Sequence, residues 1–185
     1  MDLREKNKWY YFFGLSLIGV SLLFASCKQG SNAKNVSQRS HKEADINALY
    51  AGFYQDPKTL DEQQQNEIIE YAVDNNLPLQ RTESGLYYMI TEEGRGPNLM
   101  WGESIKVHYR GYYLDGQEFD SSYSRGKPMA MQIGQGVPGW NEALTKMKSE
   151  SKCTVIIPSR LAYSDKGYAG VPPNTIIAFD IFVVM

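Results

Sequence analysis

Val107-His-Tyr-Arg-Gly-Tyr-Tyr-Leu-Asp-Gly-Gln-Glu-Phe-Asp-Ser-Ser122 is the stretch from which the fold can be read. Asp115-Gly116 is a strong hairpin signal between Tyr112–Leu114 and Gln117–Phe119, because both residues accept the positive φ of a tight turn. Upstream, Ser104–Tyr109 alternates, with Ile105, Val107 and Tyr109 on one face. The pattern is an antiparallel pair carrying aromatic rings, with the acid Asp120 directly after Phe119. Two further blocks share that character, Gly136-Val-Pro-Gly-Trp-Asn-Glu-Ala-Leu144 and Ile157-Pro-Ser-Arg-Leu-Ala-Tyr163. Brought together by folding, such segments suggest an apolar cleft with a few polar groups, the usual form of a small-ligand or peptide site.

Around this centre, Leu86–Ile90 reads as a strand and Gly94, Gly96 and Pro97 mark a turn. Met129–Ile133, Lys152–Ile157 and Ile176–Val184 read as strands, with Cys153, Val155 and Ile157 on one face. Gly139–Met147 reads as a short helix whose inner side carries Trp140, Ala143, Leu144 and Met147. A single helix is then available to cover one sheet face, which is an α+β layer arrangement.

Ahead of this domain lie three segments of different character. Arg4, Lys6 and Lys8 precede the uncharged run Trp9–Ala25, and Ser26 and Cys27 follow. A basic start, an apolar centre and small residues before a cut form the layout of a secretory signal. Phe24-Ala-Ser-Cys27 resembles a bacterial lipobox, with Phe24 where leucine is usual, so Cys27 is the expected lipidation site. An uncleaved membrane anchor is the competing reading. Lys28–Glu43 is rich in Ser, Asn, Gln and Lys and reads as a flexible tether.

From Asp45 the apolar spacing turns helical. Ile46, Leu49, Tyr50 and Phe53 make one face, Thr59 and Glu62 have capping-box spacing, and Ile68, Ile69, Ala72 and Val73 continue the stripe toward a stop at Asn75-Asn76. These helices are expected to pack on their own domain, with a homodimer interface through residues 45–76 as the alternative. The resulting division is a signal peptide at 1–26, a tether at 27–44, a helical lead-in at 45–80 and the main domain at 81–185.

The totals exclude several classes. The 185 residues suffice for one domain plus extra sequence, and a net charge of −2 without a basic stripe argues against nucleic acid. Two cysteines and two histidines, His41 and His108, give no metal-ligand spacing, and no cofactor signal is present. Gly134-Gln-Gly-Val-Pro-Gly139 fits G-x-G-x-x-G, but no acid follows about twenty residues on and no alternating βα pattern surrounds it. No G-x-S-x-G elbow is found.

Val107-His-Tyr-x-Gly111, Asp115-Gly116, Phe119-Asp-Ser-Ser122, Val137-Pro-Gly-Trp140, Leu161-Ala-Tyr163, Val171-Pro-Pro173 and Phe179-Asp180 together resemble the signature of the FKBP peptidyl-prolyl isomerases, from about Thr82 to the carboxyl end. The resemblance implies a five- or six-stranded antiparallel sheet wrapped around the short helix. It also implies a shallow pocket floored by Trp140 and walled by Tyr109, Phe119, Met129, Val137, Val171 and Phe179. Asp120, Tyr163 and Tyr109 would be its catalytic members. Met129 stands where the family usually has an aromatic ring, and Gly136-Val-Pro is one apolar residue shorter than Val-Ile-Pro. Ser164 replaces a usual glycine, Ser149-Glu-Ser151 lacks another, and Val171 stands where many members carry two aliphatics.

The implied activity is prolyl isomerisation of exported, proline-containing polypeptides, with a macrolide as a further ligand. A lipid anchor would place the domain in the cell envelope, facing the periplasm or the cell surface. The rival is a non-catalytic FKBP-like binding module or chaperone that docks a proline-containing partner at the membrane.

Overall fold

Thr59 opens the long helix of the lead-in as a cap. Its side chain accepts from the Glu62 N–H at 3.2 Å, and the Glu62 carboxylate accepts the Thr59 N–H at 3.0 Å, so two orphan donors are satisfied reciprocally. The computed structural model describes residues 46–184; the signal, the lipobox with Cys27 and the tether lie outside them. Helix α1 runs Leu60–Asp74, with Asn75 as its C-cap and Asn76 at φ 54°. Strands follow at Gln80–Arg81 (β1), Tyr87–Glu92 (β2), Arg95–Asn98 (β3), Ser104–Tyr112 (β4), Glu118–Ser121 (β5) and Met129–Gln132 (β6). Helix α2 is Pro138–Thr145. Lys148–Ser149 (β7), Lys152–Ile157 (β8), a 3₁₀ turn at Ser159–Leu161 and Ile177–Val184 (β9) complete the chain.

The main sheet is antiparallel, in the order β1-β2-β8-β9-β4-β5, with β6 pairing the first half of β4. It has seven strands where five or six were expected, because the two-residue β1 is too short to show alternation. The Gly94, Gly96 and Pro97 segment, read as a turn, instead contains most of β3, which pairs β7 in a separate two-stranded sheet. Its glycine and proline conceal a pairing set from outside. A Cβ on Gly94 would stand 2.0 Å from the Ser149 carbonyl oxygen, so the close approach requires glycine.

Alternation sorts the sheet residues between two cores. Val107, Tyr109, Val155, Ile157, Ile177, Phe179 and Ile181 face α2, where Trp140, Ala143 and Leu144 meet them, joined by Met147, which follows the helix rather than lying in it as expected. The opposite parity, Tyr87, Tyr112, Ile156 and Ala178, meets Ile68, Ile69 and Ala72 of α1. The sheet is therefore covered on both faces, which corrects the expectation of a single covering helix. The lead-in packs on its own domain. Its first part ends early: residues 46–50 are helical, Leu49 is buried, and Tyr50 is 48% exposed, so Tyr50 does not share a buried face with Phe53.

Candidate active site

Strand β4 places Tyr109 at the centre of the cleft, and Ser122 fixes its backbone. The Ser122 hydroxyl accepts the Tyr109 N–H at 2.8 Å, and the Ser122 N–H donates to the Tyr109 carbonyl at 3.0 Å. Gly111, one residue on along the same face, makes room for two rings: a Cβ there would lie 2.6 Å from Phe179 and 2.8 Å from Phe119. The rings meet edge-to-face, Trp140 with Phe179 at 4.8 Å, Tyr109 with Trp140 at 5.4 Å and Phe119 with Phe179 at 5.6 Å. Such pairs contribute about 0.5–1.5 kcal/mol each beyond burial, so the rings stabilise one another's placement in the walls.

Trp140 forms the floor because Asn141 holds the loop before it. The buried Asn141 Oδ1 accepts the N–H groups of Gly134 at 3.0 Å and Gly136 at 3.1 Å, while Nδ2 donates to the Gly136 carbonyl at 2.6 Å. A Cβ on Gly136 would stand 2.6 Å from the Trp140 ring, so the shortened Gly136-Val-Pro segment lets backbone and indole touch. The same bonds dispose of the dinucleotide reading, since the amides that would cradle a phosphate are occupied. The indole N–H donates to the Met131 sulfur at 3.2 Å.

The cleft encloses about 400 Å³ and is lined by Tyr109, Phe119, Asp120, Met129, Val137, Trp140, Tyr163 and Phe179, joined by Ala130, Met131, Gln135 and Gly136. Val171 is the exception among the expected wall residues. It is 5% exposed, pairs with Tyr168 in a tight turn and belongs to the core behind the cleft. Met131 was legible by period two from Met129, its neighbour on the same strand face. Arg125 carried no such signal.

Arg125 completes the polar edge. Its guanidinium bonds the Asp120 carboxylate and also donates to the Tyr109 hydroxyl at 2.6 Å, while that hydroxyl donates to Asp120. Partial burial works to raise the Asp120 pKa, but the hydrogen bonds from Tyr109 and Arg125, the Arg125 charge and the Ser121 N–H outweigh it and hold the carboxyl below its ordinary value. Burial first, then the Asp120 carboxylate, pushes the Tyr109 hydroxyl up. Tyr163 is likewise raised by burial and by its neighbours Tyr168 and Asp120. Both phenols therefore stay protonated as donors. Cys153 is buried in β8 with its thiol pushed up to about 12, which excludes it as a nucleophile.

Residues 96–184 match the family model for the FKBP-type peptidyl-prolyl cis-trans isomerases. The crystal structure of AtFKBP13 superposes with a TM-score of 0.54 at 36% identity, covering 56% of this chain and 94% of that one. The chain belongs to the FKBP family. FkpA of Escherichia coli K12 is 38% identical over 100 residues, and FkpA of Aeromonas hydrophila is 40% identical over 100 residues. Each match takes in 54% of this chain and 37% of the relative, so this FKBP chain spans well under half the length of those curated relatives. The crystal structure of Escherichia coli FkpA shares the fold, with a TM-score of 0.56 at 23% identity over 83% of this chain and 92% of that one.

Two departures from the FKBP pattern leave a structural trace. Ser164, which replaces a usual glycine, and Glu150, in the Ser149-Glu-Ser151 turn that lacks one, both have left-handed backbone, at φ 51° and φ 64°. The left-handed geometry at these positions carries the Cβ penalty that glycine would avoid.

Proposed function

We propose that this chain is a peptidyl-prolyl cis-trans isomerase that assists the folding of exported polypeptides by non-covalent catalysis. The observation that carries the reading is a cleft of four interlocked rings, Tyr109, Phe119, Trp140 and Phe179, whose one carboxylate is neutralised by Arg125. Rotation about a prolyl bond breaks amide resonance against a barrier of about 18–20 kcal/mol. No nucleophile is needed. The twisted amide has less charge separation than the planar one, so a dry apolar enclosure favours it. A thousandfold acceleration needs about 4 kcal/mol of such differential binding.

In this mechanism the proline ring seats on the Trp140 indole, and the rings exclude water. The Tyr163 hydroxyl donates to a substrate carbonyl, while Asp120, clamped by Tyr109 and Arg125, presents a fixed dipole beside the imide. Val137 and Met129 close the sides. Isomerisation of a short Xaa-Pro peptide by the wild-type chain and by the Asp120→Ala/Tyr163→Phe double variant tests the assignment. Turnover should fall at least about tenfold in the double variant. Undiminished turnover would remove both residues from the mechanism, and no turnover in the wild type would remove the activity.

The second reading, a binding module without catalysis, draws on Met129 and Met131. Two flexible thioethers on one wall adapt to varied occupants but enclose a transition state less rigidly than rings would. A macrolide would use the same walls. A homodimer through residues 45–76 would have to use the outward side of the lead-in, where Tyr50, Tyr54 and Leu60 are exposed, because the inward side is spent on the sheet.

Placement in the cell envelope rests on the basic start, apolar run and Cys27 of the leader, with acylated Cys27 and the tether at 27–44 holding the domain at a membrane surface. Among the described residues no helix is long and apolar enough to cross a membrane. Mass spectrometry of the membrane form should find an acyl mass on an amino-terminal Cys27. An intact Met1 end with unmodified Cys27 would contradict the anchor.

A further inference from the structure

Gln64 lies on α1, across the sheet from the cleft, and is 3% exposed. Its side-chain amide makes two bonds to distant parts of the chain. The Ser159 N–H donates to Gln64 Oε1 at 2.9 Å, and Gln64 Nε2 donates to the Asn174 carbonyl at 2.8 Å. These two contacts stand at the two ends of the loop that carries Tyr163. Within that loop the Ser164 N–H donates to the Ser159 carbonyl at 2.8 Å, and the Asn174 N–H donates to the Ser164 carbonyl at 2.7 Å. Gln64, Ser159, Ser164 and Asn174 thus form a closed cycle of four hydrogen bonds. Tyr163 sits inside it, between Ala162 and Ser164, whose N–H groups both donate to the Ser159 carbonyl.

Two members of the cycle, Ser164 at φ 51° and Asn174 at φ 56°, are non-glycine residues in the left-handed region. Such conformations persist only where the surroundings over-determine them. The amide of Gln64 is the part of the cycle supplied from outside the loop. It also has no slack: a buried amide of this kind leaves a stranded donor and acceptor if it withdraws.

From this geometry we propose that Gln64 is a positioning residue for the active site: the lead-in helix sets the place of Tyr163 by clamping both ends of its loop. Helix α1 then belongs to the catalytic unit and is not a detachable spacer. The consequence for catalysis rests on the isomerase reading above, whereas the clamp itself does not.

The test uses the full chain in detergent with two changes that each remove a buried side-chain amide from the same helix. Gln64→Met removes both clamp bonds without opening a cavity. Asn66→Ala is the matched control, since Asn66 is also buried but bonds only the Tyr54 backbone, at 2.8 Å and 2.7 Å. Gln64→Met should lower kcat on a short Xaa-Pro peptide by about fivefold or more at a temperature where the protein stays folded, because small misplacements of a catalytic group are costly. In a Tyr163→Phe background the same change should cost less than about twofold, the non-additivity of residues acting through one another. Asn66→Ala should leave kcat unchanged.

Hydrogen exchange at the Ser159, Ser164 and Asn174 amides reads the clamp independently of turnover. It should quicken in Gln64→Met and not in Asn66→Ala. Unchanged exchange, or an effect on kcat that is fully additive with Tyr163→Phe, would overturn the proposal. A wild type without turnover would overturn the isomerase reading, and the exchange rates would still decide whether the clamp exists.

Discussion

The Tyr109 hydroxyl donates to the Asp120 carboxylate across the β4–β5 pair, and the guanidinium of Arg125 bonds both partners. Three polar groups at the mouth of an apolar cleft thereby become one unit with little net charge. Arg125 also lies over the Tyr109 ring at 5.4 Å, so the same side chain stabilises the ring and its hydroxyl. This unit sets the polarity that a substrate imide would meet.

The unit predicts a pH dependence. Asp120 has a folded-state pKa held below its ordinary value, so the interaction is complete above the unfolded aspartate pKa of about 3.9 and is lost as pH falls through the lower folded value. Activity should therefore be flat from neutral pH down through about pH 4. Arg125→Leu removes the hydrogen bond and the charge that lower the Asp120 pKa, and it leaves the carboxyl partly buried. Carboxyl titration by NMR should show the Asp120 pKa raised in that variant, with the acid limb of turnover moved to higher pH. An unmoved titration would show that Tyr109 and the Ser121 N–H suffice.

The doubly covered sheet predicts that a chain beginning at residue 81 fails as a free domain. Removing α1 uncovers Tyr87, Ile156 and Ala178, and withdraws Ile68 and Ile69 from a core in which both are fully buried. Each isoleucine contributes about 1.5–3 kcal/mol, against a total stability of about 5–15 kcal/mol for a domain. Denaturant unfolding should find the truncated chain several kcal/mol less stable or aggregated, relative to one beginning at residue 46. Equal midpoints would show that α1 is only docked.

Much of this was legible in the sequence, for local reasons. The hairpin at Asp115-Gly116, the alternation of Ile105, Val107 and Tyr109 and the Thr59–Glu62 cap each depend on neighbours a few residues apart. The rings around Trp140 were implied by the resemblance to the FKBP signature. What escaped was set by distant partners. Arg125 reaches Asp120 only through the shape of the Ser121–Gly126 turn, and Val171 is drawn behind the cleft by its pairing with Tyr168. The pairing of β3 with β7 overrides the turn chemistry of Gly96-Pro97. The burial of Ile156, on the strand face opposite Val155, depends on α1, far upstream, which covers it.

Ser164→Gly should stabilise the domain. At φ 51° a serine bears the left-handed penalty that glycine avoids, offset by the greater freedom glycine brings to the unfolded chain. The net gain is about 0.5–1 kcal/mol, read as a raised denaturation midpoint. A lowered midpoint would mean that the serine side chain contributes more than its backbone costs.

Equilibrium exchange NMR on a short Leu-Pro peptide reads the proposed isomerisation itself. With a catalytic amount of the full chain, exchange cross-peaks between the cis and trans forms should appear while their ratio stays constant. A Trp140→Leu variant that remains folded should abolish those cross-peaks. Peptide resonances that shift on binding without any gain in exchange rate would contradict the account and leave the cleft a docking site.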